Sequence, residues 1–308
     1  MNSKKIKDLA GKTLAWIASS ITIAACLGII LYIFDKGQAQ LDFSFLANDP
    51  DPTGQSLKNG ILTPIAGTLI LTFIGTLVAF PWALGTAIYL SEYAKKGGLT
   101  ESFRLGIDVL AGIPTIVVAI FGLAIFSNPA FGFLSSMVEG VKDTNKAFGR
   151  SFLVSGITMG VMILPYVIKV CEEAVKSVPE TFREASLAMG ASKWHTIIKI
   201  VLPSAKNGII TSIILGMGRI IGDTAIVYLT LGGSLKMTGE APWWRPDNWI
   251  SMLKNTGSTL TSYIYFMSPA GEGHQNEKAF GAAFVLIAII VLLNLLTDFF
   301  ASSKKLSR

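Results

Sequence analysis

Residues 177–203, SVPETFREASLAMGASKWHTIIKIVLP, form a charged stretch between two long apolar runs. Ser177 and Glu180 have the spacing of a capping box, so a helix is expected to begin there. Gly190 supplies the left-handed residue that commonly ends a helix, and a second helix is expected to follow and to stop at Pro203. The stretch therefore predicts two short helices, each with one face able to bind its own protein or a partner. These faces have helical spacing and consist of Phe182, Ala185, Ser186 and Met189 in the first helix and Trp194, Ile197, Ile198 and Val201 in the second.

The composition indicates a membrane protein. The chain has 308 residues, of which 51% are hydrophobic and 15% charged, and its mean hydropathy is +0.55. Such a chain is too apolar for a soluble domain, and each long apolar run can cross about 30 Å of hydrocarbon. The sequence thus predicts an all-α integral membrane protein with six transmembrane helices. Five runs carry no charge, at 13–34, 59–91, 109–138, 151–168 and 279–297, and a sixth, 205–232, contains only Lys206, Arg219 and Asp223 as charged residues.

The distribution of Lys and Arg predicts the orientation. With the N-terminus inside, the inner segments hold 16 Lys and Arg in 72 residues, and the outer segments hold 9 in 96 residues. Cytoplasmic loops carry the excess of positive charge in membrane proteins. Residues 177–203 and both termini are therefore expected in the cytoplasm, and the net charge of +6 is explained by topology without nucleic acid binding.

The residues give no basis for ATP or metal binding by this chain. Gly11-Lys12-Thr13 matches the end of a phosphate-binding loop, but Ile6 stands where that motif needs its first glycine. His195 and His274 are too isolated to form a metal site. The chain is therefore not expected to be an enzyme or to carry a cofactor or metal.

Span four has one continuous polar face, which includes Ser155, Thr158, Lys169 and Glu172 at spacings of three and four. Two interpretations are open. The face packs against another helix, with Lys169 reaching the cytoplasmic interface, or it lines a pore that ends in a cation with a carboxylate one turn later.

Span five, the run 205–232 that lies fifth along the chain, contains an arginine. Arg219 in the middle of a membrane helix costs about 2.5 to 3.5 kcal/mol, so it needs a partner or an anion. In a continuous helix Ser212, Gly216, Arg219, Asp223 and Thr230 share one face, and Asp223 can hold the guanidinium when no substrate is present. A structural ion pair between Arg219 and Asp223 is the alternative.

The order Glu184-Ala185-Ser186, Gly190 and Ile200-Val201-Leu202-Pro203 resembles the EAA loop of ABC importer permeases, with Ser186 where the family usually has a second alanine. The resemblance implies a type I ABC importer permease fold, in which this loop is a cytoplasmic coupling helix seated in a cleft of an ATPase subunit. The residues that it implies for coupling are Phe182, Glu184, Ala185, Ser186, Gly190 and Pro203.

Three other stretches resemble PstA-type phosphate permeases: GTLILTFIGTLVAFPWALGTAIYLSEYA at 67–94, DVLAGIPTIV at 108–117 and GMGRIIGDTAIVYLTLGG at 216–233. The last is similar to the R-x-x-G-E-T-A signature, with Asp223 in place of the usual Glu. The partner permease more often has G-E-T-M, so Ala225 favours the PstA type. Asp108 is expected to be a helix cap or an intersubunit contact, with a transport role as the alternative. The resemblance implies a phosphate pathway that includes Arg219, Asp223, Thr224, Lys169 and Glu172.

Lys169 departs from the family, which has an arginine at the matching place in span four. An ammonium group acts as a point charge, whereas a guanidinium binds an anion through two parallel hydrogen bonds. Lys169 is therefore expected to bind phosphate more weakly than Arg219.

The resemblance also implies the partners: a homologous PstC-like permease, two PstB-like ATP-binding subunits that bind the ATP and Mg, and an extracytoplasmic PstS-like binding protein. The expected location is the prokaryotic inner membrane. We expect residues 1–58 to form the N-terminal tail, first span and outer loop, and residues 304–308 a cytoplasmic tail. The permease domain is expected at 59–303, with the coupling loop at 177–203 and an outer loop at 233–278.

Several alternatives remain from the sequence. The chain could be the partner permease, or a permease for another oxyanion such as sulfate. From other classes, it could be an ion-driven secondary transporter, although no inverted repeat is found, or a membrane signalling scaffold. The tryptophans of the outer loop, Trp243, Trp244 and Trp249, are typical of a membrane-interface belt, with a docking surface for a binding protein as the alternative.

Overall fold

The computed structural model describes residues 3–51, 60–95, 97–135 and 149–302. Within these residues every regular element is helical. The predicted domain boundary at 58/59, the end of span three at 136–138 and the tail at 304–308 lie outside them. The α-helices are α1 Ser3–Gly37, α2 Phe43–Ala47, α3 Leu62–Ile88, α4 Gly98–Gly112, α5 Thr115–Phe126, α6 Phe152–Lys176, α7 Glu180–Ala188, α8 Lys193–Thr196, α9 Leu202–Gly222, α10 Trp249–Lys254, α11 Leu260–Met267 and α12 Asn276–Ser302.

Among the described residues, five helical segments are long and apolar enough to cross a membrane, and a bent pair of helices supplies a sixth if it is counted as one span. The prediction of an all-α protein is therefore confirmed, and the predicted number of six spans is reached when the bent pair is counted as one. Two of these segments continue through π-helical turns, at Tyr89–Tyr93 after α3 and at Ile197–Val201 before α9. The five segments are Gly11–Gln40, Leu62–Tyr93, Phe152–Lys176, Lys193–Gly222 and Asn276–Leu296.

Span three is not the single helix that the uncharged run 109–138 predicts. The chain bends by 99° between α4 and α5, because Pro114 has no amide hydrogen and forces Ile113 into an extended conformation with φ −71° and ψ 129°. The 12 residues of α5 extend about 18 Å, which is less than the thickness of the hydrocarbon layer. The bend therefore separates the charged helix α4, which carries Asp108, from the apolar helix α5.

The core forms where α3, α6 and α9 pack together. Gly156 and Gly160 of α6 lie so close to Ile74 and Val78 of α3 that an added Cβ would come within 2.4 and 2.9 Å of those side chains. Gly216 of α9 packs against α6 in a similar way. Small residues allow helices to approach closely in a membrane, where lipid offers no hydrophobic driving force. These glycines therefore fix α6 between its two neighbours.

Helix α1 lies at the periphery, as its apolar composition all round predicts. None of its most apolar window is buried. It packs along α12 through the ring pairs Tyr32 with Phe280, 5.6 Å apart, and Phe34 with Phe284, 5.1 Å apart. The first span is thus packed against the last.

The outer segment at 233–278 folds back into the bundle. Leu260 and Tyr263 of α11 are fully buried. The amide of Leu260 donates to the Thr68 hydroxyl of α3 at 2.9 Å, and an added Cβ at Gly67 would clash with the carbonyl oxygen of Ser258. Part of the predicted outer loop is therefore a structural element of the core.

Candidate functional site

The predicted coupling helix is α7, Glu180–Ala188, but it does not begin with a capping box. Ser177 ends α6 instead, and its hydroxyl donates to the carbonyl of Ala174 at 2.8 Å. Pro179 is the residue before the first turn of α7, with φ −57° and ψ 140°. The capping-box prediction is wrong because α6 extends to Lys176 and uses Ser177 for its own C-terminus.

The turn after α7 agrees with the sequence, whereas the next helix does not. Gly190 has φ +79°, the left-handed conformation predicted for it. Pro203 does not stop the second helix, because a helical segment runs without interruption from Lys193 to Gly222. Pro203 lies in the first turn of α9, directly after the π-helical turn Ile197–Val201, where a missing amide hydrogen is tolerated. The predicted coupling loop, residues 177–203, therefore contains the short helix α7 and the Gly190 turn, and the helical segment that follows the turn continues into span five.

The predicted coupling loop exposes large apolar side chains at the end of the molecule that is predicted to be cytoplasmic. Met189 is 87% exposed, and Phe182 and Trp194 are about half exposed. Glu184, Ala185, Gly190 and Pro203 are exposed as well. Ser186 faces inward and shares a hydrogen bond of 2.8 Å with the Thr196 hydroxyl of α8. Ser186 therefore joins the two sides of the turn, and the other implied coupling residues lie on an open surface.

Four residues that were not predicted from the sequence hold residues 177–203 to the spans. Arg183 of α7 donates from Nε and Nη2 to one carboxylate oxygen of Glu92 at 3.0 and 2.8 Å. Lys193 of α8 reaches the backbone carbonyl of Glu92 and lies over the Tyr93 ring, 4.8 Å from its centroid. The sequence feature that could have indicated these contacts is Glu92, a carboxylate at the end of span two.

Span five is broken at the residues that resemble the phosphate-permease signature. Helix α9 ends at Gly222, residues 223 and 224 are not helical, and a helix resumes at Ala225. The carboxylate of Asp223 accepts a hydrogen bond from the amide of Ile226 at 2.8 Å, so Asp223 caps the second half of the span. The prediction that Thr230 shares a helical face with Arg219 is therefore wrong, because the break lies between them.

Neighbouring elements support this break. The Thr261 hydroxyl of α11 donates to the backbone carbonyl of Asp223 at 3.2 Å. The Thr115 hydroxyl at the start of α5 interacts with the Asp223 carboxylate. A cavity of about 590 Å³ opens beside the break. It is lined by Ile116, Thr224, Ala225, Tyr228, Leu229, Thr261, Ile264, Tyr265 and Ser268.

Arg219 lies in the last turn of α9 and is exposed. The ion pairs found between described residues, within a limit of 4.0 Å, do not include one between Arg219 and Asp223. The guanidinium instead faces the ring of Tyr166 on α6, 5.8 Å from its centroid. The predicted ion pair is absent here because the Asp223 carboxylate is used as a helix cap.

The polar face of span four divides into two parts. Ser155 and Thr158 are buried within the bundle, which agrees with the packing interpretation. Lys169 is half exposed and forms an ion pair of 2.6 Å with Asp108 of α4. Asp108 lies within α4 and does not cap a helix, so that expected role is wrong, and its expected intersubunit contact stays a prediction.

The spacing of Lys169 and Glu172 suggested that the two would pair. In the structure Glu172 has other partners. It is buried between α4 and α6, where it pairs with Arg104 at 2.6 Å and with Lys176 at 2.7 Å. A buried carboxylate takes the partners that enclose it, because an unpaired charge there is costly. The structure therefore brings Lys169 together with Asp108 and separates it from Glu172.

The fold and this site define a class of protein: a multispan membrane subunit with a broken, arginine-bearing span and a short helix presented at one end. The sequence pattern of binding-protein-dependent transport system inner membrane components matches residues 79–303. The chain belongs to this family, and it is accordingly a multi-pass inner membrane permease of the ABC importer type.

Several individual relatives are permease proteins, and two of those named below belong to phosphate transport systems. The chain is 29% identical to the probable ABC transporter permease protein YqgI of Bacillus subtilis, over 95% of this chain and 94% of that protein. It is 32% identical to the phosphate transport system permease protein PstC of Pasteurella multocida, over 63% of each chain. It is 29% identical to the phosphate transport system permease protein PstA 1 of Mycobacterium tuberculosis strain CDC 1551 / Oshkosh, over 78% of this chain and 70% of that protein.

Among solved structures, a chain of a bacterial alginate ABC transporter in complex with an alginate-bound periplasmic protein has a similar fold. Its TM-score is 0.64 with 17% identity, and the match covers 98% of both chains. At this identity the likeness concerns the fold alone.

Proposed function

We propose that this chain is a PstA-like permease subunit of an ATP-driven importer of inorganic phosphate. In this proposal it forms the translocation pathway together with a PstC-like permease. Two PstB-like subunits bind and hydrolyse ATP with Mg, and a PstS-like extracytoplasmic protein delivers phosphate. Both termini and α7 are cytoplasmic.

The observation that carries the proposal is the placement of Arg219 at the break in span five. The guanidinium is exposed on the chain, and the ion pairs among described residues leave it without a carboxylate. A planar guanidinium can donate to two oxygens of one phosphate, and the low dielectric of a membrane interior strengthens such charged hydrogen bonds. A fixed cation of this kind suits an oxyanion better than it suits a neutral sugar or a metal ion.

Lys169 is the second cation of the proposed pathway. Its ammonium is held by Asp108 at 2.6 Å, so an anion that reaches it must displace a carboxylate. A site of this kind binds weakly, and successive weak sites favour passage over trapping. In the proposal, phosphate passes from Arg219 to Lys169 and is then released to the cytoplasm.

The proposed contact with the ATPase is the exposed face of α7 and the Gly190 turn. Phe182, Met189 and Trp194 supply apolar area, and Glu184 supplies a charge at its rim. Exposed apolar groups rimmed by polar residues are typical of surfaces that bind another protein. The position of this face at the start of span five supports a role in transmitting movement to that span.

The partner permease is the second candidate, because PstC of Pasteurella multocida is a relative at 32% identity. Ala225 of the signature resembles the PstA type, which is why that assignment is preferred. Copurification would distinguish the two, since each permease is expected to bind the other kind.

The experiment that tests the function is uptake of labelled phosphate by the purified complex in vesicles. With the binding protein present, we expect uptake when the vesicles contain ATP and none when they contain a non-hydrolysable ATP analogue. Excess unlabelled phosphate should abolish the signal, and excess sulfate should leave it unchanged. Uptake that follows an ion gradient without ATP, or that sulfate abolishes, would contradict the proposal.

A further inference from the structure

Glu92 and Arg183 form a buried contact between the coupling helix and the spans. Glu92 is 7% exposed and Arg183 is 12% exposed. Their contact is bidentate on the arginine side, with Nε and Nη2 at 3.0 and 2.8 Å from one carboxylate oxygen. A charge buried to this extent is strongly destabilising when its partner is removed, so the two residues hold each other in place.

Arg183 also binds the end of α6. Its Nη1 donates to the carbonyl of Val178 at 2.7 Å, and its Nη2 donates to the carbonyl of Val175 at 3.0 Å. Val175 lies in the last turn of α6, whose carbonyls have no partner within the helix, and Val178 follows the helix. One side chain of α7 therefore connects the inner ends of α3 and α6.

The other side of the Gly190 turn is attached to the same place. Lys193 of α8 reaches the backbone carbonyl of Glu92 and lies over the ring of Tyr93. Glu92 belongs to the π-helical turn Tyr89–Tyr93 that extends α3. The helices before and after the turn are thus both fastened to the final turn of span two.

We propose that the Glu92 and Arg183 pair is a positioning joint that carries movement of the coupling helix to α3 and α6, so that ATP hydrolysis is converted into transport. This inference rests on the proposed coupling of α7 to an ATPase. Most of the apolar face of α7 is exposed, so a rigid polar contact is needed if the helix is to move the spans instead of tilting by itself. The guanidinium supplies that rigidity, because Nε and Nη2 both donate to one Glu92 oxygen while Nη1 and Nη2 also donate to the carbonyls of Val178 and Val175, and these four hydrogen bonds fix its orientation.

The test compares Glu92→Gln and Arg183→Lys with Arg245→Lys, which alters an exposed pair with Asp247 in the outer segment. Each complex is purified with its ATPase subunits and placed in vesicles in equal amounts of assembled complex. Labelled phosphate uptake and ADP formation are measured together. We expect both joint variants to keep ADP formation and to lose about tenfold of the uptake per ADP, a size typical of coupling between two sites. The Arg245→Lys complex should match the wild type.

An unchanged ratio of uptake to ADP in the assembled joint variants would overturn the inference, because a merely structural pair affects only the amount of complex.

If the wild type itself takes up no phosphate, the proposed substrate fails, and a second measurement then decides on the joint. Spin labels at Leu187→Cys on α7 and Trp82→Cys on α3, with Cys26→Ala and Cys171→Ser, report the distance between these helices with and without ATP. We expect a narrow distribution of label-to-label distances in the wild type and a broad distribution with Glu92→Gln. Equal distributions would overturn the joint.

Discussion

Arg219 shows how the backbone break sets the state of a charged side chain. In an unbroken helix its carboxylate partner would be Asp223, one turn later. Because α9 ends at Gly222, the Asp223 carboxylate binds the amide of Ile226 at 2.8 Å and caps the next helical segment. The guanidinium keeps the ring of Tyr166 as a neighbour, and its hydrogen-bond donors remain available for an anion.

We predict that Arg219→Gln strongly reduces phosphate uptake while the complex still assembles. Glutamine keeps a polar end but loses the charge and the fork, and charged hydrogen bonds of this kind contribute about 1.5 to 3 kcal/mol each. Uptake should therefore fall by at least about tenfold, with basal ATP hydrolysis unchanged. The measurement is labelled phosphate uptake beside copurification of the ATPase, with Arg245→Gln as a control on the outer segment. Normal uptake, or loss of uptake only through failed assembly, would make Arg219 a structural residue.

A second prediction at this scale concerns Asp108. Its carboxylate lies 2.6 Å from the ammonium of Lys169, and Asp108→Asn removes that competing charge. Phosphate should then bind Lys169 more tightly and leave more slowly, so the maximal uptake rate and the half-saturating phosphate concentration should both fall. Uptake measured across phosphate concentrations tests this, and Asp247→Asn is the matched control. A half-saturating concentration that rises or does not change would show that Lys169 lies outside the pathway.

At the scale of elements, the break in span five is stabilised by one helix cap and by contacts from two neighbouring helices. Asp223 caps the second segment, and the hydroxyls of Thr261 and Thr115 interact with Asp223. We predict that Asp223→Asn has a small effect, because an asparagine oxygen can accept the same amide hydrogen. Asp223→Ala removes the cap, which costs about 1 kcal/mol in helix stability, and it should reduce both the thermal stability of the complex and uptake. If the asparagine variant is as impaired as the alanine variant, the charge of Asp223 matters and the cap does not.

The helices could be predicted from the sequence, but their interruptions could not. Long apolar runs are a local property, and they located α1, α3, α6, α9 and α12. The bend at Pro114 and the break at Asp223 depend on whether other elements cover the freed backbone groups, and such contacts link residues far apart in the chain. Similarly, the charges of the coupling loop were visible in the sequence, but the pairing of Arg183 with Glu92 joins positions 91 residues apart.

At the scale of the whole molecule, the ion pairs that join different helical elements among the described residues gather at one end. The pairs of Arg183 with Glu92, Arg104 with Glu172 and Lys169 with Asp108 lie at the ends of α3 and α6 that adjoin α4 and α7. The opposite end carries Trp243, Trp244 and Trp249 in the segment after span five. This asymmetry agrees with the excess of Lys and Arg in the segments predicted to be inside, and it gives each end a distinct chemical character.

The orientation itself is the last prediction. Positive charge is retained on the cytoplasmic side during insertion, so α7 should face the cytoplasm and the tryptophan segment should face outward. In a background of Cys26→Ala and Cys171→Ser, we place one cysteine at Leu187→Cys on α7 or at Trp244→Cys on the outer segment, both of which are exposed positions. A maleimide that cannot cross membranes should label position 244 in intact cells, and should label position 187 only after the membrane is opened. The opposite pattern would place α7 outside, where no cytoplasmic ATPase could reach it, and the proposed coupling would then be excluded together with the joint at Glu92.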